Sequence, residues 1–442
     1  MKRILSVFLA LVLFAFSLCS LASCGKKEGI TVRYLNFKPE VAEKYSAIAA
    51  AYEKETGVRV VVETAASNTY EQTLLSKLPT RDAPTVFQIN GPKSYSAYKD
   101  YLSDLGGTEL YKHLSDPALA LAKDGKVYGV PYVVEGYGII YNKKLMNRYF
   151  ALPKKATSYN SIEEIRSFDA LAAVVRDMQK NKADLGIDGV FAATSLKSGE
   201  DWRWQTHLFN VPLTYEMNEK NVDMTAADYT DFTFSHSENF KKLFDLYLDN
   251  STTARSALGT KTVADSMAEF ALEKCAMVQN GSWAYAQIST EGGNKVQAED
   301  VGFLPLYMGG ADEAKQGICI GTENYYAINA KASKEEREAA EKFLWWLYSS
   351  ETGKKFIRED LGFIAPFDTF SEADVPSDPL AKEVLRFMQT ENIKNVPWSF
   401  AAIPSLRLKE DFGASLLSYA QGKKTFDAVV SDLKAAWKNE SK

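Results

Sequence analysis

Between Thr31 and Ile89 the hydrophobic period of the chain switches repeatedly, and this alternation limits the fold more than any other feature. Thr31–Leu35 reads as a strand. Pro39–Lys54 reads as a helix: Pro39 suits a first turn, Val41, Tyr45, Ile48 and Tyr52 recur at helical spacing, and Gly57 follows the end. Val58–Glu63 is β-branched and predicts a second strand. Asn68–Leu78 predicts a second helix, closed by Pro79, and Thr85–Ile89 a third strand. This β-α-β-α-β order implies a parallel sheet with right-handed crossovers. Such sheets bind ligands outside the carboxyl ends of their strands. Those ends carry Asn36-Phe37-Lys38, Thr64 to Asn68, and Gln88-Ile89-Asn90-Gly91. Lys38, Gln88 and Asn90 are therefore candidate contacts, in a set of amides, one cation and one ring that suits a polar neutral ligand.

A second α/β region follows. Ser161-Ile162-Glu163-Glu164 has capping-box spacing and predicts a helix with Ile162, Ile165, Phe168 and Val175 on one face. Gly189–Thr194 reads as a strand leading into Glu200–Phe209, EDWRWQTHLF. There Trp202 and Trp204 flank Arg203 and follow Asp201. On a helix the two indoles point to different faces; on a strand they share one. Glu238–Asp249 and Thr262–Glu273 predict helices, and Cys275–Gln279 a strand that ends in Asn280-Gly281-Ser282-Trp283. Ser333 to Glu336 opens a capped helix through Tyr348, and the chain from Asp360 reads as mainly helical.

The first residues stand apart from the fold. Met1-Lys2-Arg3 is basic, and Ile4–Leu18 is an apolar run short of the roughly 20 residues a spanning helix needs. With Leu21-Ala22-Ser23-Cys24-Gly25 it fits a secretory signal, and it resembles the lipobox of bacterial lipoproteins, in which Cys24 would be the lipidated first residue. The alternative is an ordinary secretory signal with an incidental cysteine. The net charge of −5 becomes −7 when Lys2 and Arg3 leave. A dedicated nucleic-acid binder shows a basic excess, so that class is disfavoured. In an exported chain Cys275 and Cys319 either pair or remain two buried thiols.

Several motifs together carry a resemblance. Asp124-Gly-Lys-Val-Tyr-Gly-Val-Pro-Tyr132, Glu135-Gly-Tyr-Gly-Ile-Ile-Tyr-Asn-Lys143, Phe270 to Trp283 (FALEKCAMVQNGSW), Val301-Gly-Phe-Leu-Pro-Leu306, Tyr326-Ala-Ile-Asn329 and Leu361-Gly-Phe-Ile-Ala-Pro366 occur in an order spanning nearly all the chain. In this order they resemble the extracellular solute-binding proteins of ABC importers, in the branch that includes maltose-binding protein. The resemblance implies a two-lobed, class II periplasmic-binding-protein-like α/β fold with discontinuous lobes and a ligand clasped by hinge closure. The expected parts are a signal peptide (1–23), a lipidated cysteine and tether (24–30), an N-terminal lobe (31–140 with 305–350) and a C-terminal lobe (141–304 with 351–442). The crossings are expected near Ile139–Asn142 and Phe303–Tyr307.

The implied ligand is an oligosaccharide. Aromatic planes cover the C–H faces of a sugar, while carboxylates, amides, Arg and Lys satisfy its hydroxyls. On this reading Asp201, Trp202, Arg203, Trp204, Trp283 and Trp398 join Lys38, Gln88, Asn90 and Glu135 at the ligand. The alternatives place one of Trp202 and Trp204 in the core, Trp398 in packing, and Glu135 in a hinge salt bridge. Maltose-binding protein carries an aromatic and an acid near the position of the Gln88–Asn90 loop, where this chain carries amides. The implied partners are the permease subunits of an importer and, through the lipid, the membrane; the chain is expected to be a monomer, without cofactor or metal.

No GxSxG, HExxH or GxxxxGK[ST] motif occurs, and the three histidines, His113, His207 and His236, lack metal-ligand spacing. Two other classes remain: a lipid-anchored glycosidase or lyase, and a binding protein for a peptide, polyamine or iron complex.

Overall fold

The computed structural model describes residues 29–65, 69–222 and 229–441. Strands β1 (Thr31–Asn36), β2 (Arg59–Thr64) and β3 (Val86–Asn90) pair in parallel as the alternation predicts. Strands β4 (Leu121–Lys123), β5 (Lys126–Pro131) and the late strand β10 (Asn324–Ile328) complete a sheet of order β2-β1-β3-β10-β5-β4. The second sheet holds β6 (Glu135–Asn142), β7 (Met277–Gly281), β8 (Val301–Leu304), β9 (Gln316–Gly321) and β11 (Lys394–Pro397), in the order β11-β9-β6-β7 with β8 also on β6. Each sheet has its own core. Helix Ala42–Thr56 lays Tyr45, Ile48 and Tyr52 onto the first, and helix Lys334–Ser349 covers it with Phe343, Leu344 and Leu347. Helix Phe168–Lys180 packs Leu171, Val174, Val175 and Met178 into the second.

Helix ends follow local chemistry. Ser333 and Glu336 form the expected reciprocal cap, and Thr262 with Asp265 forms another. Ser161 does not cap a long helix: a short 3-10 turn follows it, and Ser167 starts the helix by accepting a hydrogen bond from Ala170 N–H. Gly189–Thr194 is not a strand. Only Phe191 bridges Ser251 and Met277, because a side chain at Gly189 would strike the Ser251–Thr252 backbone and the segments cross there too closely to run on as a ladder.

The chain changes sheet at other points than the motifs imply. β5 ends beside β10 at Pro131, whereas Glu135 already pairs with Gly321, so the first crossing is 132–134 rather than Ile139–Asn142. The second is 322–323, between β9 and β10, rather than Phe303–Tyr307. Ile357, Leu361, Phe363 and Phe367 remain in the first core, and the chain rejoins the second through Leu380 and Val384. The apolar run Val127–Tyr141 reads alike in either sheet; only strand pairing divides it.

Candidate functional site between the sheets

The crossings at 132–134 and 322–323 join the same two sheet edges, so these edges face each other. The first edge carries Asn36 beside Thr64 and Asn90 opposite Asn324. The second carries Glu135 opposite Gly321 and Gly281 opposite Tyr137, with Trp283 after β7 and Trp398 after β11.

Tryptophans gather on the second edge. A Cβ at Gly281 would lie 2.2 Å from the Trp283 ring, and one at Gly321 2.6 Å from the Trp398 ring, so both indoles rest against bare backbone. Trp202 opens a π-helical stretch, Arg203–Leu208, that runs into helix Phe209–Glu219. The wide turn brings residues five apart onto one face. Trp202 accordingly meets His207 edge-on at 5.0 Å and lies 6.1 Å from Trp283. His207 stacks on Tyr137 at 4.3 Å, and Trp398 lies 5.5 Å from Tyr137. Trp202, Trp283 and Trp398 each keep part of their surface exposed. Burial drives His207 down to about 3, reinforced by Lys409 and Arg203, so the imidazole is neutral at physiological pH.

The other members of EDWRWQ serve the lobe itself. Trp204 is 2% exposed, packs against Phe244 and Tyr247, and donates its Nε1–H to Ser195 O. This corrects its expected place at the ligand: two residues from Trp202 on a helical turn, it faces the core. Arg203 is likewise an internal strut, whose guanidinium donates to Gln279 O at 3.2 Å, to Ser266 Oγ at 3.0 Å and to Ser195 Oγ. Asp201 is buried against Gly413, and its carboxyl is pushed up to about 6, first by burial and then by Glu410 and Glu200.

Lys38 and Glu135, both expected at the ligand, bind each other across the two edges at 2.8 Å, with Glu40 3.6 Å from the ammonium. Burial alone would lower the Lys38 ammonium, but Glu135 and Glu40 outweigh it and hold it above its ordinary value. Burial raises Glu40 against the pull of Lys38. The adjoining cavity, lined by Glu40, Glu135, Ser282, Trp283, Phe363 and Asp378, measures about 30 Å³. That is room for a water or two and not for a sugar ring.

On the first edge, Gln88 Oε1 accepts from Phe37 N–H and so anchors the loop after β1, while its buried Nε2 has no partner. Asn90 is half-buried at the end of β3. Lys409, from helix Leu406–Ala420, lies in the fields of Glu71 and Glu323, and burial lowers its pKa against their pull. Helix Gly91–Tyr98 touches the turn Phe400–Ala402 across the gap. His207, Tyr137, Gln279 and Lys409 belong to this region and were not among the sequence candidates. The spacing of His207 from Trp202 was the available sign, had a π-turn been foreseen.

Cys275 and Cys319 are both buried free thiols. Among the described residues no group of His, Cys, Asp or Glu is placed to hold a metal, and no helix is long and apolar enough to cross a membrane. Cys24 lies outside the described residues.

Two α/β halves joined by three crossings of the chain, with a ring-lined edge facing an amide-lined one, define a two-lobed, class II binding-protein fold. A family profile described as bacterial extracellular solute-binding protein matches residues 47–383, and the chain belongs to that family. It is 23% identical to the multiple sugar-binding protein of Streptococcus mutans over 386 residues, 85% of this chain and 84% of that protein. It superposes on a chitin oligosaccharide binding protein with a TM-score of 0.70 at 18% identity, covering 94% of this chain and 100% of that one. It superposes on the binding protein RafE in complex with raffinose with a TM-score of 0.69 at 18% identity, covering 93% and 100%.

Proposed function

We propose that the protein is the substrate-binding lipoprotein of a carbohydrate ABC importer. It captures an oligosaccharide between its lobes and delivers it unchanged to the permease subunits. The observation that carries this reading is the cluster of three partly buried tryptophans around a neutral imidazole, facing an edge of amides. Trp202, Trp283 and Trp398 cover the sugar's C–H faces, and Gln88 and Asn90 meet its hydroxyls from the other side. Lys38 and Glu135 tie the lobes together beside the crossings. Sheet membership supports lobes of 31–131 with 324–367 and of 135–321 with 379–441. Cys24 carries the lipid that holds the mature monomer to the outer face of the membrane.

Titration of intrinsic Trp fluorescence with raffinose, stachyose, chitotriose, a tripeptide and spermidine tests this. The reading expects a saturable response to at least one sugar, silence with the peptide and polyamine, and recovery of intact sugar after long incubation. A response to the non-sugars alone, or sugar cleavage, would overturn it.

A further inference from the structure

Beneath the tryptophans lie polar atoms that the protein itself does not satisfy. Gln279 is 1% exposed, yet neither Oε1 nor Nε2 of its side chain has a hydrogen-bond partner. The same holds for Nδ1 of His207, a residue 4% exposed, and for the buried Nε1 of Trp398. Leaving such a group unpaired costs about 1–3 kcal/mol, and nearly all buried polar groups find partners. These three converge. Gln279 pairs with Ile139 and Gly281 with Tyr137 across β6 and β7, so Gln279 and Tyr137 project on the same face of the sheet. Tyr137 in turn carries the stacked His207 ring and sits beside Trp398. Arg203 holds the Gln279 carbonyl, which fixes that strand position.

We infer that Gln279, His207 and the indole nitrogen of Trp398 form the polar floor of the carbohydrate site, and that this floor receives the hydroxyls of one uncharged sugar unit end-on. The inference rests on the carbohydrate reading above. The floor is electrically neutral: the amide both donates and accepts, the indole only donates, and the imidazole has one donor and one acceptor nitrogen. A hydroxyl, which also donates and accepts, matches this set. Of the cations near the floor, Arg203 is held through its Nη groups by Ser195, Ser266 and Gln279 O, Lys38 is held by Glu135, and Lys409 already lies in the fields of Glu323 and Glu71, so the floor groups themselves offer a sugar carboxylate no charge partner. Burial keeps His207 uncharged throughout the physiological range. A floor that hydrogen-bonds its ligand also discriminates strongly against analogues that lack the group. The second lobe thus takes part in selection among uncharged sugars.

The chain has only three histidines, so the floor can be watched in the unaltered protein. In ¹⁵N-histidine-labelled protein, His113→Gln and His236→Gln assign the two outer rings. Raffinose or chitotriose, added until the Trp fluorescence saturates, should shift the His207 ring nitrogens and leave the others in place. Trigalacturonate should bind at least tenfold more weakly than the better neutral sugar. Gln279→Met should lose roughly tenfold in affinity for that sugar, with an unfolding midpoint at or above that of the parent because it removes an unpaired buried amide. A His207 ring unmoved at saturation would overturn the floor while leaving carbohydrate binding intact, and would mean that ordered water satisfies these atoms. Gln279→Met binding like the parent, or trigalacturonate binding as tightly as the neutral sugars, would overturn it equally. If Gln279→Met does not fold, the histidine measurement decides. Fluorescence silent to every sugar would overturn the carbohydrate reading itself, and the floor with it.

Discussion

The two sheet edges that face each other are built from opposite materials. The first presents short amides and charges: Asn36, Gln88, Asn90, Asn324, and Lys38 locked to Glu135. The second presents rings: Trp202, Trp283, Trp398 and His207, on seats made by Gly281 and Gly321. The difference teaches how a cleft divides its labour. Ring surface binds without directional demands and works on an open lobe, whereas amides act only when closure brings them within hydrogen-bond reach. A ligand that meets the second lobe first and closes the first over it uses both.

Within the second lobe, Trp202 and Trp204 make the contrast sharpest. Trp204→Ala should cost about 4 kcal/mol of stability, as large core truncations do, while sugar affinity in the folded fraction changes less than threefold. Urea melts and calorimetric titration on the same sample check this; a selective loss of affinity would place Trp204 at the ligand after all.

Between the lobes, Lys38→Met should cost about 3 kcal/mol, since it strands a buried carboxylate, and adding Glu135→Gln should restore most of that. Urea midpoints of the two singles and the double complete the cycle. Additive losses would show that the two residues act independently and not as a tie.

The smallest effect concerns charge. Lys38 and Glu135 neutralise each other, but burial, with Glu410 and Glu200 adding to it, raises the Asp201 pKa from 3.8 to about 6. A carboxyl with a raised folded value favours the protonated folded state. Its contribution is therefore complete below about pH 4 and lost as the pH climbs through about 6. Asp201→Asn should gain on the order of 1–2 kcal/mol over the parent between pH 4 and pH 7. Urea melts at the two values measure it, and a difference that does not change with pH would show Asp201 to be ordinary.

Much of the first lobe was legible because its elements are local. Hydrophobic period, Pro39 and Gly57 place the first helix to within a few residues, and the strand ends follow. The sequence predicts Trp283 after a strand and an Asn-Gly turn; in the structure Asn280 and Gly281 are the last residues of the strand, and Trp283 lies two positions past its end. What stayed hidden depends on pairing across long sequence separations. β10 joins the first sheet from more than two hundred residues away, and no local pattern says so. The same holds for Arg203: its residue type suits a ligand, yet Ser266 and Gln279 from distant segments claim it together with nearby Ser195. Gln279 escaped because an apolar run with one polar residue reads as core, and His207 because only a π-turn sets it beside Trp202. Only the unpaired atoms beneath the tryptophans reveal them.

The central claim is that the rings of the second edge hold the sugar. A crystal structure with the tightest-binding oligosaccharide of the titration tests it most directly. The account expects the C–H face of a sugar ring within about 4 Å of the indole of Trp283 or Trp202, with Trp204 out of contact. A sugar seated wholly on the first edge, or outside the gap between the lobes, would contradict it.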